Sequence, residues 1–318
     1  MVKYVFKRLG LMIVTFLIVT IMCFVLIKLL PDPIVCTPTS AGGNCDAMYA
    51  WYEAMGYNKP IMVQFGIYVQ HFLQGNFGIG TKMYIMQNVS DIMAQKLPAT
   101  ISVNFWTMLI AIPLGLFFGA FSALKKNKWE DTFISILVML VISVPSYVYC
   151  FIVMYFLCFK WNWFPITINS GTNFFTPTMV YSMMPAILCL ALGTIAGLTR
   201  YTRAELTEVL TSEYMLLARA KGLTRGQATI RHAFRNAMVP IFPMILGEIV
   251  GLLSGSLIVE NFFGIPGVGV LYINSINVRD YNFFMFLNMF YIAIGLLAGL
   301  VVDLSYGLID PRIRMGSK

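Results

Sequence analysis

Two carboxylates lie in apolar surroundings. Glu248 falls midway along the apolar run 237–259, and Asp303 near the end of the run 283–304. A charged side chain at membrane depth is costly unless it faces a water-filled cavity, a partner or the interface. Glu248 therefore reads as lining a pathway, with a hydrogen-bonded packing residue as the other reading. Asp303, nearer an interface, reads first as structural and second as a pathway residue. Ser254 and Ser256 flank Gly255 and invite an intramembrane hydrolase, but no general base accompanies them in an apolar run. Ser254 is kept as a polar pathway candidate. No Ser/His/Asp set or paired carboxylates stand out, so no catalytic residues are assigned. No Gly-x4-Gly-Lys-Ser/Thr occurs, so the chain should bind no nucleotide through a P-loop.

The two histidines, His71 and His232, fall on opposite sides of the membrane by the topology below, so no metal site is expected. Among six cysteines none forms a CxxC pair. Cys23, Cys150, Cys158 and Cys189 sit in apolar runs and read as core. Cys36 and Cys45 share one polar loop, CTPTSAGGNC. An extracytoplasmic location would allow them a local disulfide; free thiols are the other reading.

The elements that must hold these residues follow from composition. The 318 residues are 58% hydrophobic and 11% charged, with a mean hydropathy of +0.77. A soluble domain is nearer a quarter charged. The chain reads as an all-α polytopic membrane protein with six transmembrane helices: 9–30, 101–124, 133–159, 182–199, 237–259 and 283–304. A signal peptide is the rival for the first run, but this run is longer and ends in Leu-Leu-Pro-Asp-Pro. Residues 1–8 form an N-terminal stub, 31–99 an inserted segment, 100–306 the core and 307–318 a tail. Within 31–99, Asp46–Gly56 and Pro60–Gly75 read as short helices. Phe65, Tyr68, Val69 and Phe72 are spaced to pack on a neighbour or the membrane surface.

Of 22 Lys and Arg, sixteen fall at the N-terminus, after the second run, in 200–236 and in the tail; six fall opposite. That bias places both termini and 200–236 in the cytosol and 31–99 outside. The basic excess then reports topology and contact with membrane lipid, with no nucleic-acid partner. Gly247, Gly251 and Gly255 recur every four residues and read as a close-packing helix face. Residues 260–269 form a Gly/Pro-rich turn, either a re-entrant element or a plain loop.

The polar stretch 212–240 reads as two short helices. Glu213 to Lys221 favours helix, Gly222 supplies a left-handed stop, and Thr224 with Gln227 forms a capping box that starts a second helix at Arg225. Short tethers to the membrane disfavour a DNA-binding role. A solvated basic loop and a docking element for a soluble partner both remain. Small Ala218, Ala220 and Gly222 would let a short helix enter a groove, with basic residues at its rim.

The motif Ala218-Arg-Ala-Lys-Gly-Leu223, followed by Arg231-His-Ala-Phe-Arg-Asn236 and Pro240, resembles the coupling-loop signature of ABC importer permeases, in particular the first permease subunit of oligopeptide and dipeptide importers. Further likeness lies in Leu29-Leu30-Pro31 with Asp32-Pro33, Lys96-Leu-Pro-Ala-Thr100, Trp129-Glu-Asp131, Ser143-Val-Pro-Ser146, Glu260, Pro266-Gly267 with Gly269, Arg279-Asp-Tyr281 and Asp310-Pro-Arg312. The chain departs where the signature has Glu-Ala-Ala, carrying Leu216, Leu217 and Ala218, and where a proline falls on Arg235. The resemblance implies a type I importer fold and a bacterial plasma-membrane location. The implied partners are a second homologous permease, two cytosolic ATPases and an extracytoplasmic peptide-binding protein. It implies no enzyme activity in this chain and no cofactor bound by it, with ATP and Mg on the ATPases. The implied coupling residues are Glu213, Tyr214, Ala218, Arg219, Ala220, Lys221, Gly222, Arg231, His232 and Arg235. Relatives for nickel, haem or sugars, and a stand-alone channel or secondary carrier, are the alternatives.

Overall fold

The computed structural model describes residues 2–29 and 45–309. Cys36, the motif 30–33 and the tail motif 310–312 lie outside the described residues, and so does the question of a Cys36–Cys45 disulfide. Among the described residues the regular structure is helical, apart from two isolated β-bridges. The helices are α1 (Val2–Lys28), α2 (Cys45–Ala54), α3 (Ile61–Leu73), α4 (Val89–Leu124), α5 (Trp129–Ser143), α6 (Ser146–Val153), α7 (Pro177–Leu210), α8 (Glu213–Ala220), α9 (Arg225–Ala228), α10 (Arg235–Val250), α11 (Leu257–Phe263), α12 (Val268–Val278) and α13 (Tyr281–Ile309). Among the described residues five helical runs are long and apolar enough to cross a membrane, or up to seven when bent pairs are counted. The expected six lies inside that range without being singled out.

The boundaries differ from the apolar runs where charge and helix end do not coincide. α7 covers Pro177–Leu210, well beyond the expected 182–199. Arg200, Arg203, Glu205 and Glu208 stop the apolar run but are good helix formers, so the helix continues past them. The expected span 133–159 is broken: Trp129–Ser143 and Ser146–Lys160 meet at 105°. Pro145 lacks an N–H, and Val144 before it is extended (φ −87°, ψ 129°), as a residue preceding proline prefers. The expected 237–259 helix ends at Val250 and passes into a 3-10 turn, Gly251–Leu253. This corrects the glycine-face reading. Gly247 does sit close to Val302, with 3.3 Å from its would-be Cβ to Cγ2, but a Cβ on Gly251 would meet nothing within 4 Å. Gly255 adopts φ +63° beyond the helix. The close-packing glycines are others: a Cβ on Gly115 would lie 2.6 Å from Leu198 Cβ, and one on Gly119 would lie 2.5 Å from Thr202 Cβ. Small residues four apart thus bring α4 against α7.

The chain forms two compact units, Met1–Thr100 with Pro266–Leu296 and Ile101–Ile265 with Leu297–Lys318. In the first, the spaced aromatics of α3 find a neighbour. Phe24 of α1 meets Phe65 at 5.3 Å and Tyr68 at 5.4 Å between ring centroids, and Phe16 meets Phe72. Tyr281, Met285 and Met289 of α13 complete that core. A turn at 78–88 is held by Asp280, which is fully buried. Its Oδ2 accepts the backbone N–H groups of Thr81, Lys82 and Met83 at 2.8, 2.8 and 2.9 Å. Its Oδ1 accepts the N–H of Phe283 in the first turn of α13, at 3.4 Å. Asn282 adds a second tie, donating to Ile79 O at 2.8 Å and accepting from Tyr57 Oη at 3.0 Å.

In the second unit α7 is the central helix. Its buried residues, from Met179 to Leu206, run the length of the helix and pack against α4, α5 and α10.

Asp280→Ala removes the shared acceptor of three backbone amides, that of Thr81 buried and those of Lys82 and Met83 part-buried. It should destabilise the protein by about 3 kcal/mol, an unmade charge-assisted set being costly. Thermal unfolding in detergent and trypsin cleavage after Lys82 measure it. Unchanged melting and cleavage would show that the clamp does not hold the turn.

Candidate functional site

The loop that follows α7 is built from two short elements closed on each other. Thr211 and Ser212 end α7 by donating their hydroxyls to the carbonyls of Glu208 (3.0 Å) and Val209 (2.5 Å). Glu213 stands in the first turn of α8, where a carboxylate favours the helix dipole. α8 ends on Lys221, and Gly222 turns the chain at φ +88°. Gln227 N–H donates to Thr224 Oγ1 at 3.4 Å while Thr224 N–H donates to Gln227 Oε1 at 3.1 Å, forming the expected capping box. A π-helical turn, Thr229–Phe234, then leads into α10.

The side chains divide cleanly. Met215 and Ala218 turn inward, buried among Leu206, Ala228, Ala233 and Ala237. Glu213, Tyr214, Arg219, Ala220, Lys221 and Gly222 face out, as do Arg231, His232 and Arg235 of the next elements. Ala218 is thus a packing residue of the loop and not part of its outer surface. That surface also carries large apolar groups: Leu216 is 64% exposed, Leu217 57% and Ile230 74%. The sequence did contain a signal for them. In an eight-residue helix anchored at Met215 and Ala218, three apart on one face, Leu216 and Leu217 must point elsewhere.

Near the end of α7 that leads into the loop lies a buried ion pair. Asp131, 3% exposed, receives Arg203 Nε at 2.5 Å on Oδ1 and Nη2 at 2.8 Å on Oδ2. Ser122 Oγ donates to the same Oδ1, and the Asn127 N–H donates to Oδ2 at 3.0 Å. One carboxylate therefore joins the end of α4, the turn after it, the start of α5 and the lower part of α7. Lys125 with Glu130, at 3.1 Å, is more exposed and adds little.

The pathway candidates sit around the break after α10. Glu248 is half-buried, and among the described residues it has no hydrogen bond or ion pair. It follows Gly247, whose contact is Val302, the residue before Asp303. Asp303 is half-buried and has a polar interaction. Ser254 ends the 3-10 turn, its N–H donating to Gly251 O at 2.9 Å. Asn104 of α4 donates to Leu252 O at 2.8 Å and satisfies a carbonyl that the helix break exposes. Ser256 caps α11 by accepting the Val259 N–H at 3.2 Å, which leaves it a structural role. Among the described residues no group of three or more His, Cys, Asp or Glu could hold a metal ion.

Several membrane-length helices, one broken beside a carboxylate and preceded in the chain by a basic loop, fit a transport component more readily than an enzyme. Comparison makes this specific. The chain belongs to the family of binding-protein-dependent transport system inner membrane components, whose model matches residues 97–315. The N-terminal family of such membrane components matches residues 1–104. The chain is 35% identical over 315 residues to a dipeptide transport system permease protein of Lactococcus lactis subsp. cremoris, covering 99% of this chain and 100% of that one. It is 30% identical to an oligopeptide transport system permease protein of Haemophilus influenzae, over 99% and 100% of the two chains. With a glutathione transport system permease protein of Salmonella typhimurium it shares 32% identity over 99% of each. These are permeases, not enzymes, and a stand-alone channel or secondary carrier is not favoured.

Breaking the Asp131–Arg203 bracket should loosen the second unit. Arg203→Met leaves the buried carboxylate with only Ser122 and Asn127, at a cost of about 3 kcal/mol. Asp131→Asn with Arg203→Met should cost less than the sum of the two single changes. Thermal unfolding of the four proteins measures the coupling, and strict additivity would exclude it.

Proposed function

We propose that the chain is one permease half of an ATP-driven peptide importer in the bacterial plasma membrane. Full-length identity to permeases of dipeptide, oligopeptide and glutathione systems carries the substrate class. A second, homologous permease completes the pathway, and six spans place both termini in the cytosol with 31–99 outside. An extracytoplasmic binding protein delivers peptide to the outer loops. Two ATPases, holding ATP and Mg, receive the 212–236 loop, and this chain binds no cofactor.

The ordered, outward-facing surface of that loop is the observation that supports coupling. In this reading the apolar contact is Tyr214, Leu216 and Leu217, with Arg219, Lys221, Arg231, His232 and Arg235 as a basic rim. Closure of the ATPases displaces α8 as a rigid body, because Met215 and Ala218 anchor it to the unit behind. Glu248, Ser254 and Asp303 contribute polar groups to the pathway that this displacement opens and closes.

Leu217→Asp should reduce peptide uptake at least about tenfold, the loss of roughly 1.4 kcal/mol or more of contact, at unchanged membrane abundance. ATPase co-purification should fall in parallel. Ala218→Glu should instead lower abundance, since its side chain points inward. Normal uptake by Leu217→Asp would sink the coupling role. Glu248→Gln should depress uptake by about tenfold without loss of ATPase association, because a lone membrane carboxylate is costly to keep without a use. Wild-type uptake would remove it from the pathway.

A further inference from the structure

A groove of about 390 Å³ runs between α5 and α7 in the second unit. One wall is a single face of α5, formed by Ile134, Val138, Met139 and Ile142. Ile134, Val138 and Ile142 recur every four residues and so lie in line along the helix, with Met139 beside them. Thr199 and Arg200 of α7 form the opposite wall. The groove is mainly apolar, with Ser135 and Ser143 beside the α5 face and Arg203 and Ala204 completing the α7 wall, and it carries the Arg200 cation.

Arg200 is exposed, and among the described residues it has no hydrogen bond or ion pair. Its neighbours three and four residues away on α7 are Ala196, Gly197, Arg203 and Ala204, none of which is acidic. Asp131 is close in the fold but already saturated by Arg203, Ser122 and Asn127. Space beside Arg200 is open, since a Cβ on Gly197 would meet nothing within 4 Å. Arg200 stands about 35 Å along α7 from Pro177 at 1.5 Å per residue, just beyond a hydrocarbon core of about 30 Å. Trp129, the first residue of α5, is 75% exposed, as an interfacial aromatic is. Lys126 and Lys128 lie at the same end of α5.

We propose that this groove holds one anionic phospholipid, with an acyl chain along Ile134, Val138 and Ile142 and its phosphate on the Arg200 guanidinium. Charge complementarity selects this occupant. A zwitterionic lipid fills the apolar wall equally well but brings a second, repelled cation, whereas an anionic headgroup pairs with Arg200 and gains from the neighbouring lysines. The seat lies on the flank of α7, the helix that leads into the 212–236 loop. A lipid there would brace the α5–α7 pair that the Asp131 bracket joins.

Native mass spectrometry of the full-length chain with its co-purified subunits tests this in mixed micelles of phosphatidylglycerol and phosphatidylcholine. Wild type should retain one phosphatidylglycerol about fivefold more tightly than phosphatidylcholine of the same chain length, as one basic contact provides. Arg200→Gln should abolish that preference and Arg200→Lys should keep most of it. Val138→Trp, which fills the groove and leaves Arg200 in place, should abolish retention; it decides the matter if Arg200→Gln fails to fold. Unchanged phosphatidylglycerol retention in folded Arg200→Gln or Val138→Trp would overturn the proposal. So would cross-linking of Met139→Cys to another subunit in the membrane, which would make the groove a protein seam.

Discussion

A buried carboxylate with four ligands holds the second unit together. Asp131 would be expensive to desolvate alone, and its cost is offset only because Arg203, Ser122 and the Asn127 amide converge on it. That convergence sets conditions on the rest of the unit. α4 and α7 must lie close enough for Ser122 and Arg203 to share one oxygen, which the glycines at 115 and 119 permit. α7 must also remain helical past its apolar run so that Arg203 is presented at a defined height. The same continuation carries the chain to Leu210 and fixes where the coupling loop begins.

The first unit uses the same physics with different donors. Asp280 satisfies itself on three successive backbone amides and the first turn of α13. The turn it holds contains Tyr84 at φ 46° and Met86 at φ 63°, conformations that non-glycine residues adopt only when the surroundings enforce them. Gly80 allows the approach, since a Cβ there would fall 1.9 Å from Met83 O. Short apolar helices could pack in many registers; a carboxylate with three fixed donors accepts one.

What could be read from the sequence was local. Gly222 as a stop, the Thr224–Gln227 box and the aromatic face of α3 each depend on residues within a turn or two. The misreadings had longer reach. Asp131 and Asp280 stand in the motifs Trp129-Glu-Asp131 and Arg279-Asp-Tyr281, yet Arg203 lies 72 residues from the first and Thr81 199 residues from the second. No periodicity connects such positions. The α7 boundary was misplaced because charge marked the edge of the apolar run, while helix propensity and an ion pair carried the helix beyond it. The glycine stripe in α10 assumed a continuous helix through 255, whereas the helix gives way at Gly251.

The inward turn of Ala218 changes how the proposed coupling would work. A small residue on the outer face would have implied a cleft into which α8 slides. A small residue on the inner face instead lets α8 sit close to α7, with Met215 beside it in the same core as Leu206. Contact with a partner then falls to Leu216 and Leu217, whose exposure in an isolated chain is unfavourable and is relieved when another surface covers them. Force on those leucines reaches Leu206 through packed side chains, and Leu206 is three residues from Arg203 on the same helix. The Asp131 bracket thus stands at the base of the proposed lever, where a rigid joint makes a displacement of α8 move the α5–α7 pair rather than bend the loop.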